Sequence, residues 1–253
     1  MLSTERKMYL ADKLERDGTL HVKGIAQELG ISETTIRRDL MELEREGKVK
    51  RVHGGAVRIG LDHILTENKE VVMRDRMAIN PDIKSQIARK ACECIQDGEC
   101  IFLDGGTSIV PMIDYLWNRP VKIVTHNHLI VQRLHDPIAQ VIVIGGDYNA
   151  KYTMSEGPVA QNMLRLYNFD RAFIGCAGVD VESGQCYTAE METRELKEIA
   201  IHNSNHKYLL IDDRKLFVKG FCKFTKTEVF DQVFCNESEE LPDILPENYC
   251  IVK

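Results

Sequence analysis

Gly30 and Ser32 stand one residue apart between two stretches of helical periodicity, and this pair constrains the N-terminal part of the chain more than any other feature. Upstream, Ile25, Ala26 and Leu29 mark a helix that Gly30 ends, at a position where a left-handed backbone favours glycine. Downstream, Ser32 offers an N-cap side chain, and Ile36, Leu40 and Leu43 then fall on one helical face until Gly47. Two helices joined by a turn of about four residues, the second polar and basic on its free face, form the helix-turn-helix layout. An earlier helix is expected over residues 4–16, with Leu10 and Leu14 as its apolar edge and Asp17-Gly18 as its stop. An extended segment follows at 19–22. After the third helix, Val49 and Val52, a His53-Gly54-Gly55 turn and Ala56-Val57 predict a small hairpin, the wing.

Charge gives these elements a purpose. The chain carries a formal net charge of −6, but residues 1–58 hold 12 Lys/Arg against 10 Asp/Glu. With Ile36, Leu40 and Leu43 facing inward, Ser32, Thr34, Thr35, Arg37 and Arg38 lie at the amino end of the third helix. This is the end that a recognition helix presents to the major groove. There arginine binds guanine edges through its planar fork, and hydroxyls and helix amides bind phosphate. Lys50, Arg51 and His53 crowd the predicted wing, placed for the neighbouring phosphate backbone. The plainer reading is a solvated helix laced by Asp39, Glu42 and Glu44.

The eight cysteines, at 92, 94, 100, 176, 186, 222, 235 and 250, form no C-x-x-C pair. Reduced, mostly buried thiols are therefore expected, with Cys92, Cys94 and Cys100 as the alternative metal or redox cluster. No apolar run reaches the roughly 18 residues needed to span a bilayer, and the first ten residues lack a secretory h-region. A cytoplasmic protein with no membrane partner is expected.

From about residue 76 the texture changes. Short runs rich in β-branched residues occur at 101–104, 121–125, 141–146, 171–178 and 207–212. They alternate with helical patterns at 83–95, 109–117, 130–134, 159–166 and 192–203. Such βαβα alternation predicts an α/β domain with a mostly parallel sheet. Three of the predicted strands end in glycine-bearing loops: Asp104-Gly105-Gly106-Thr107-Ser108, Gly145-Gly146 and Gly175-Cys176-Ala177-Gly178. Ligands bind outside the carboxyl ends of parallel strands, so these loops are candidates to converge. In the first loop, Gly105 and Gly106 let backbone amides approach a ligand, and Thr107 and Ser108 add hydroxyls. A helix expected from about residue 109 would add its positive end, making a phosphate cradle. It is not a Walker loop, because no Gly-Lys-Ser/Thr follows.

The N-terminal segment resembles the DNA-binding domain of the DeoR family of bacterial transcriptional regulators. The resemblance rests on Arg6, Leu10 and Leu14, then Ser32, Thr35, Ile36, Arg37, Arg38, Asp39 and Leu40, with RVHGGAV at 51–57. The C-terminal part resembles the DeoR sensor domain, related in fold to ribose-5-phosphate isomerase. It does so through IFLDGGTS (101–108), VTHN (124–127), VIVIGG (141–146), EGPVA (156–160), FIGCAGVD (173–180), TRELKE (193–198) and LLIDDRK (209–215). The resemblance implies an N-terminal winged helix-turn-helix at 1–57, a linker at 58–75 and a sugar-phosphate-sensing α/β domain at 76–253. It implies a homo-oligomeric repressor, dimer or tetramer, that binds double-stranded operator DNA and is released by a phosphorylated sugar or related metabolite. No cofactor, metal or catalytic residue is implied. By position it points to Asp104, Gly105, Gly106, Thr107, Ser108, Gly145, Gly146, Lys84, Lys197, Asp212 and Lys215 as effector-binding residues. The residues themselves leave Lys84 and Lys215 open as solvated lysines and Asp212 as a turn cap. The asparagine usual after the strand threonine is displaced by His126, with Asn127 next.

The rival reading is a sugar-phosphate isomerase with an accessory DNA-binding domain, drawing on Asp104, Glu156, Glu190 or Glu192 as proton shuttle. No paired-carboxylate loop supports it. A third class, an architectural DNA-binding protein, leaves the glycine loops without a role.

Overall fold

The computed structural model describes residues 3–17, 19–52, 55–58, 73–239, 241–242 and 244–253. It divides into two compact units, Met1–Ile64 and Leu65–Lys253. His53 and most of the expected 58–75 linker lie outside the described residues.

In the first unit, helices α1 (Ser3–Asp17), α2 (Val22–Leu29) and α3 (Glu33–Arg45) accompany strands β1 (Thr19–His21), β2 (Val49–Val52) and β3 (Gly55–Arg58). The strands form an antiparallel sheet in the order β1-β3-β2. The two signals that opened the sequence operate as local chemistry predicts. Gly30 sits at φ 64°, and the Ile31 amide behind it donates to the Ala26 carbonyl at 2.9 Å. Ser32 caps α3 by accepting from the Thr35 amide at 3.2 Å. Leu10, Leu14, Ile36, Leu40 and Leu43 meet Leu20, Val49 and Ala56 in one core. Each fully buried aliphatic side chain there contributes about 1.5–3 kcal/mol. Gly55 is needed for the sheet itself: a Cβ there would fall 1.9 Å from the Leu20 carbonyl oxygen on the facing strand.

The second unit opens with α4 (Met73–Ala78) and α5 (Pro81–Cys92). The linker expected to end at residue 75 therefore runs into α4, which packs on this unit. Strand β4 (Cys100–Leu103) follows, then a 3-10 turn (Val110–Met112), α6 (Ile113–Leu116), β5 (Lys122–Thr125), α7 (His128–Val131) and β6 (Gln140–Val143). The hairpin β7 (Asp147–Asn149) and β8 (Met154–Glu156) leads into α8 (Gly157–Leu164) and β9 (Phe169–Ile174). Then come β10 (Gly178–Asp180), β11 (Gln185–Thr188), α9 (Met191–His202), β12 (Ser204–Leu210), β13 (Cys222–Lys226), β14 (Gln232–Asn236) and β15 (Tyr249–Val252).

Seven strands pair in parallel in the order β15-β14-β12-β9-β4-β5-β6, while β10-β11-β13 form a small antiparallel sheet. Period-two alternation along β4 sends Phe102 to the face covered by α8 and α9, and Ile101 and Leu103 to the face covered by α5 and α6. The chain moves outward from β4 to β5 and β6, then crosses back to β9 on the other side of β4. Beside β4 the order reverses, the place where open α/β sheets bind ligands. Among the described residues no helix is long and apolar enough to cross a membrane.

One predicted helix takes a different form. Residues 109–117 make the 3-10 turn and the four-residue α6 rather than a continuous α-helix. The amides of Ile109 and Val110 both fold back on the Gly106 carbonyl (3.0 and 3.3 Å), and Pro111 has no N–H to extend an α ladder. The helix dipole expected to complete the cradle is therefore not formed there. The cysteines are all free thiols, five of them buried. Among the described residues no group of His, Cys, Asp and Glu is arranged to hold a metal, so Cys92, Cys94 and Cys100 are not brought into a metal-binding cluster.

Candidate functional site

In the first unit, Ser32, Thr34, Arg37, Arg38 and Arg51 are exposed and Thr35 is half-buried, while Leu40 and Leu43 are shut into the core. The acidic residues that suggested a plain salt-bridged helix have separate partners. Asp39 is fully buried and takes both ends of the Arg6 guanidinium, one contact at 3.0 Å. Glu42 accepts from Lys7 of α1 at 3.0 Å. Glu44 accepts the Arg51 backbone amide at 2.9 Å, which ties β2 back to α3. Arg37 reaches Glu33 one turn earlier at 3.2 Å, an exposed and therefore weak pair. Arg38 has no acidic partner among the described residues. The Arg6–Asp39 pair thus fixes α3 from behind, with hydroxyls and arginines on its outer side. Lys50 lies on β2.

In the second unit a half-open cleft of about 420 Å³ lies at the carboxyl ends of β4 and β9. Asp104, Gly105 and Gly106 follow β4 into its wall, Gly175 and Cys176 follow β9, and Lys197 arrives from α9. The two glycine loops touch: a Cβ on Gly106 would stand 3.2 Å from the Gly175 Cα. Asp104 is the hub. Its carboxylate accepts from Lys197 Nζ and from the Gly175 amide (2.9 Å), and His126 Nε2 lies 3.4 Å away. Lys197 donates also to the Gly175 carbonyl at 3.0 Å. Burial alone would push the Asp104 carboxyl up, but the Lys197 ammonium and His126 outweigh it and hold the group well below the usual carboxylate range. His126 stacks on Phe102 and donates from Nδ1 to the Ser155 carbonyl at 2.9 Å. Burial pushes the Cys176 thiol up to about 11, despite Lys215 and Lys197 nearby, so it is an inert wall rather than a nucleophile.

The remaining predicted residues are not on this wall. Thr107 and Ser108 are buried but do not line the cleft. Gly145 and Gly146 are exposed and also lie away from it. Gly146 serves packing: at φ 148° it lets β6 run close to α8, where a Cβ would meet the Glu156 carbonyl oxygen at 2.5 Å. Asp212 is a turn cap, accepting from the Arg214 amide at 3.2 Å, and Lys215 is half-buried on the turn it closes. Lys84 is neither solvated nor in the cleft. It is buried and donates to the Arg76 carbonyl in the last turn of α4 at 2.6 Å. Burial pulls its ammonium down to about 8, with Asp212 opposing.

Several lining residues escaped the sequence reading. Arg76 and Met73 come from α4, Tyr152 and Met154 from the hairpin β7–β8, and Thr188, Glu190 and Thr193 from the approach to α9. Met73, Tyr152 and Met154 pack together as a small apolar wall. Only the MRDRM run, with two arginines in five residues, hinted at a charged element there.

Two family models match the chain: the DeoR-like helix-turn-helix domain over residues 6–60 and the DeoR C terminal sensor domain over residues 79–237. An uncharacterized HTH-type transcriptional regulator FruR of Bacillus subtilis is 31% identical over 225 residues, 88% of this chain and 87% of its own length. The lactose phosphotransferase system repressor of Lactococcus lactis is 31% identical over 212 residues, covering 81% and 80%. Among solved structures, ribose 5-phosphate isomerase A of Methanocaldococcus jannaschii matches 54% of this chain and 55% of its own, at 20% identity and a TM-score of 0.40.

Proposed function

The chain belongs to the DeoR family of transcriptional regulators, and from that premise we propose that it represses carbohydrate genes and is released by a phosphorylated sugar held in the cleft beside β4. Its relatives are regulators and repressors by name, and it acts as a regulator rather than as an enzyme. The isomerase reading also lacks a proton shuttle in Asp104. A general base works best with a pKa near the working pH, whereas this carboxyl is held far below it and pinned by Lys197.

The proposed division of labour assigns residues 1–57 to operator binding, 58–75 to the connection and 76–253 to sensing. Ser32, Thr34, Thr35, Arg37 and Arg38 read the major groove, while Lys50, Arg51 and His53 hold the neighbouring backbone. The observation that carries the sensing half is the cleft's construction. Backbone glycines at Gly105 and Gly106 adjoin a buried lysine at the reversal point of a parallel sheet, with threonine and carboxylate side chains opposite. A small polyol bearing an anionic group finds its complement there. Two or more copies, as a dimer or tetramer, present paired helices to two operator half-sites. Filling the cleft favours an arrangement in which the spacing no longer fits. A useful switch requires the ligand to prefer that arrangement by a few kcal/mol.

A gel-shift on DNA upstream of the chain's own gene, repeated with a panel of phosphorylated sugars and their parent sugars, tests the reading. Retention of the shifted band with every phosphorylated sugar would refute it. Sedimentation of the free protein reports the assembly.

A further inference from the structure

The second cation on the wall of the cleft comes from the segment that enters the sensing unit. Arg76 and Lys197 are the permanently cationic side chains among the described residues that line the cleft, and they are differently committed. Lys197 is paired at contact distance with Asp104 and bonded to the Gly175 carbonyl, so its charge is matched within the wall. Arg76 belongs to α4, whose place is fixed from two sides. Its first residue, Met73, is buried against Tyr152 and Met154, and its amide donates to the Lys151 carbonyl at 3.3 Å. At the other end, the buried Lys84 ammonium donates to the backbone carbonyl of Arg76 itself at 2.6 Å. A charged lysine shut away from water is costly. Here it sits on the carbonyls of a last helical turn, where a cation is favourable, and fixes the backbone that carries Arg76.

We infer that Arg76 binds the anionic group of the cleft's ligand, and that the ligand thereby takes hold of the first described element after the DNA-binding unit. This rests on the phosphosugar reading above. The guanidinium fork matches a phosphate bidentately, which an ammonium does not. Glu190, Thr188 and Thr193 line the same cleft and supply acceptors and hydroxyls for the sugar, giving the ligand a defined direction. A ligand shifts an equilibrium only through contacts that differ between its states. A contact to α4 is suited to that, because α4 is the part of the wall that continues in sequence toward the operator-binding residues.

The test uses full-length protein, labelled upstream DNA and three probes: fructose 1-phosphate, fructose 6-phosphate and glucose 6-phosphate, each beside its parent sugar. Arg76→Gln should bind DNA as the wild type does without ligand. It should need about 10- to 100-fold more of the active probe for half-release, and its preference for the phosphorylated over the parent sugar should shrink by the same factor. Arg76→Lys should fall between. A purely structural role would not change that preference. If the wild type responds and Arg76→Gln responds at the same concentration, this inference is overturned while the phosphosugar reading stands. If the wild type responds to no probe, both are overturned. Should the glutamine variant fail to fold, Arg76→Lys decides: wild-type sensitivity in a folded variant overturns the inference, and a shifted half-release supports it.

Discussion

Asp39→Ala should unfold the operator-binding unit while sparing the sensing unit. In the wild type the Asp39 carboxylate is fully buried and holds both ends of the Arg6 guanidinium, itself only 7% exposed. Removing the carboxylate leaves a guanidinium charge that cannot reach water without prising α1 from α3. Breaking a buried pair from one side costs about 3–5 kcal/mol. A unit spanning Met1–Ile64 has a total stability of about 3–10 kcal/mol at the usual density per residue. The loss therefore consumes a third or more of what is available. Calorimetry should show a low-temperature transition shifted down by ten degrees or more, or absent, with the second transition unmoved. Operator binding at 37 °C should fall in proportion to the folded fraction. Because Asp39 is closed off from solvent, a double variant, Arg6→Met with Asp39→Leu, should restore the transition without restoring any charge. An Asp39→Ala protein that melts like the wild type would refute the reasoning, as would a double variant no better than the single one.

Arg38→Ala should weaken operator binding about tenfold or more and lower the log-log salt slope if its contact is to phosphate, leaving sugar-phosphate binding intact; anisotropy titrations at several salt concentrations measure both. Lys197→Met strands the buried Asp104 carboxylate and should lower the sensing unit's stability by about 3–5 kcal/mol, read by denaturant unfolding. Since the folded Asp104 carboxyl titrates below its ordinary value, its contribution is present above about pH 3.8 and lost as pH falls through the lower folded value, so the variant should also lose this part of the wild type's acid sensitivity. Lys84 works in the opposite direction. Its folded value of about 8 lies below the ordinary 10.5, so the unfolded chain binds the extra proton between these limits and stability should rise with pH across them, by on the order of 3 kcal/mol. Lys84→Met should flatten that rise, and equal slopes in the two proteins would count against a buried, charged Lys84.

The first unit was legible because its instructions are local: a left-handed glycine, a serine cap and three aliphatic residues on one helical face each act within a few residues. The central strands were legible for a similar reason, as β4, β5, β6, β9 and β12 are short apolar runs bounded by helical patterns. The outer strands β14 and β15 were not read, since Gln232–Asn236 and Tyr249–Val252 are brief runs whose pairing is set by neighbours elsewhere in the chain. The small sheet was hidden because Gly178–Asp180 reads as a continuation of β9. In the cleft, the motif residues Asp104, Gly105, Gly106 and Lys197 were found and do line it. Lys84, Asp212 and Lys215 were chosen by charge, which says that a residue needs a partner but not that the partner is a ligand. Arg76, His126 and Glu190 reach the wall through tertiary packing alone, and no spacing rule connects them.

The pairing of β4 with β9 has a consequence for how the molecule is made. Ile101 must wait for Arg171 and its neighbours, whereas every strand of the first unit pairs within residues 19–58. At a ribosome's pace of roughly 5–20 residues per second, the head that grips the chromosome can be finished on the order of ten seconds before the receptor that dismisses it has a floor. A message cut short in that interval would yield a grip with no release.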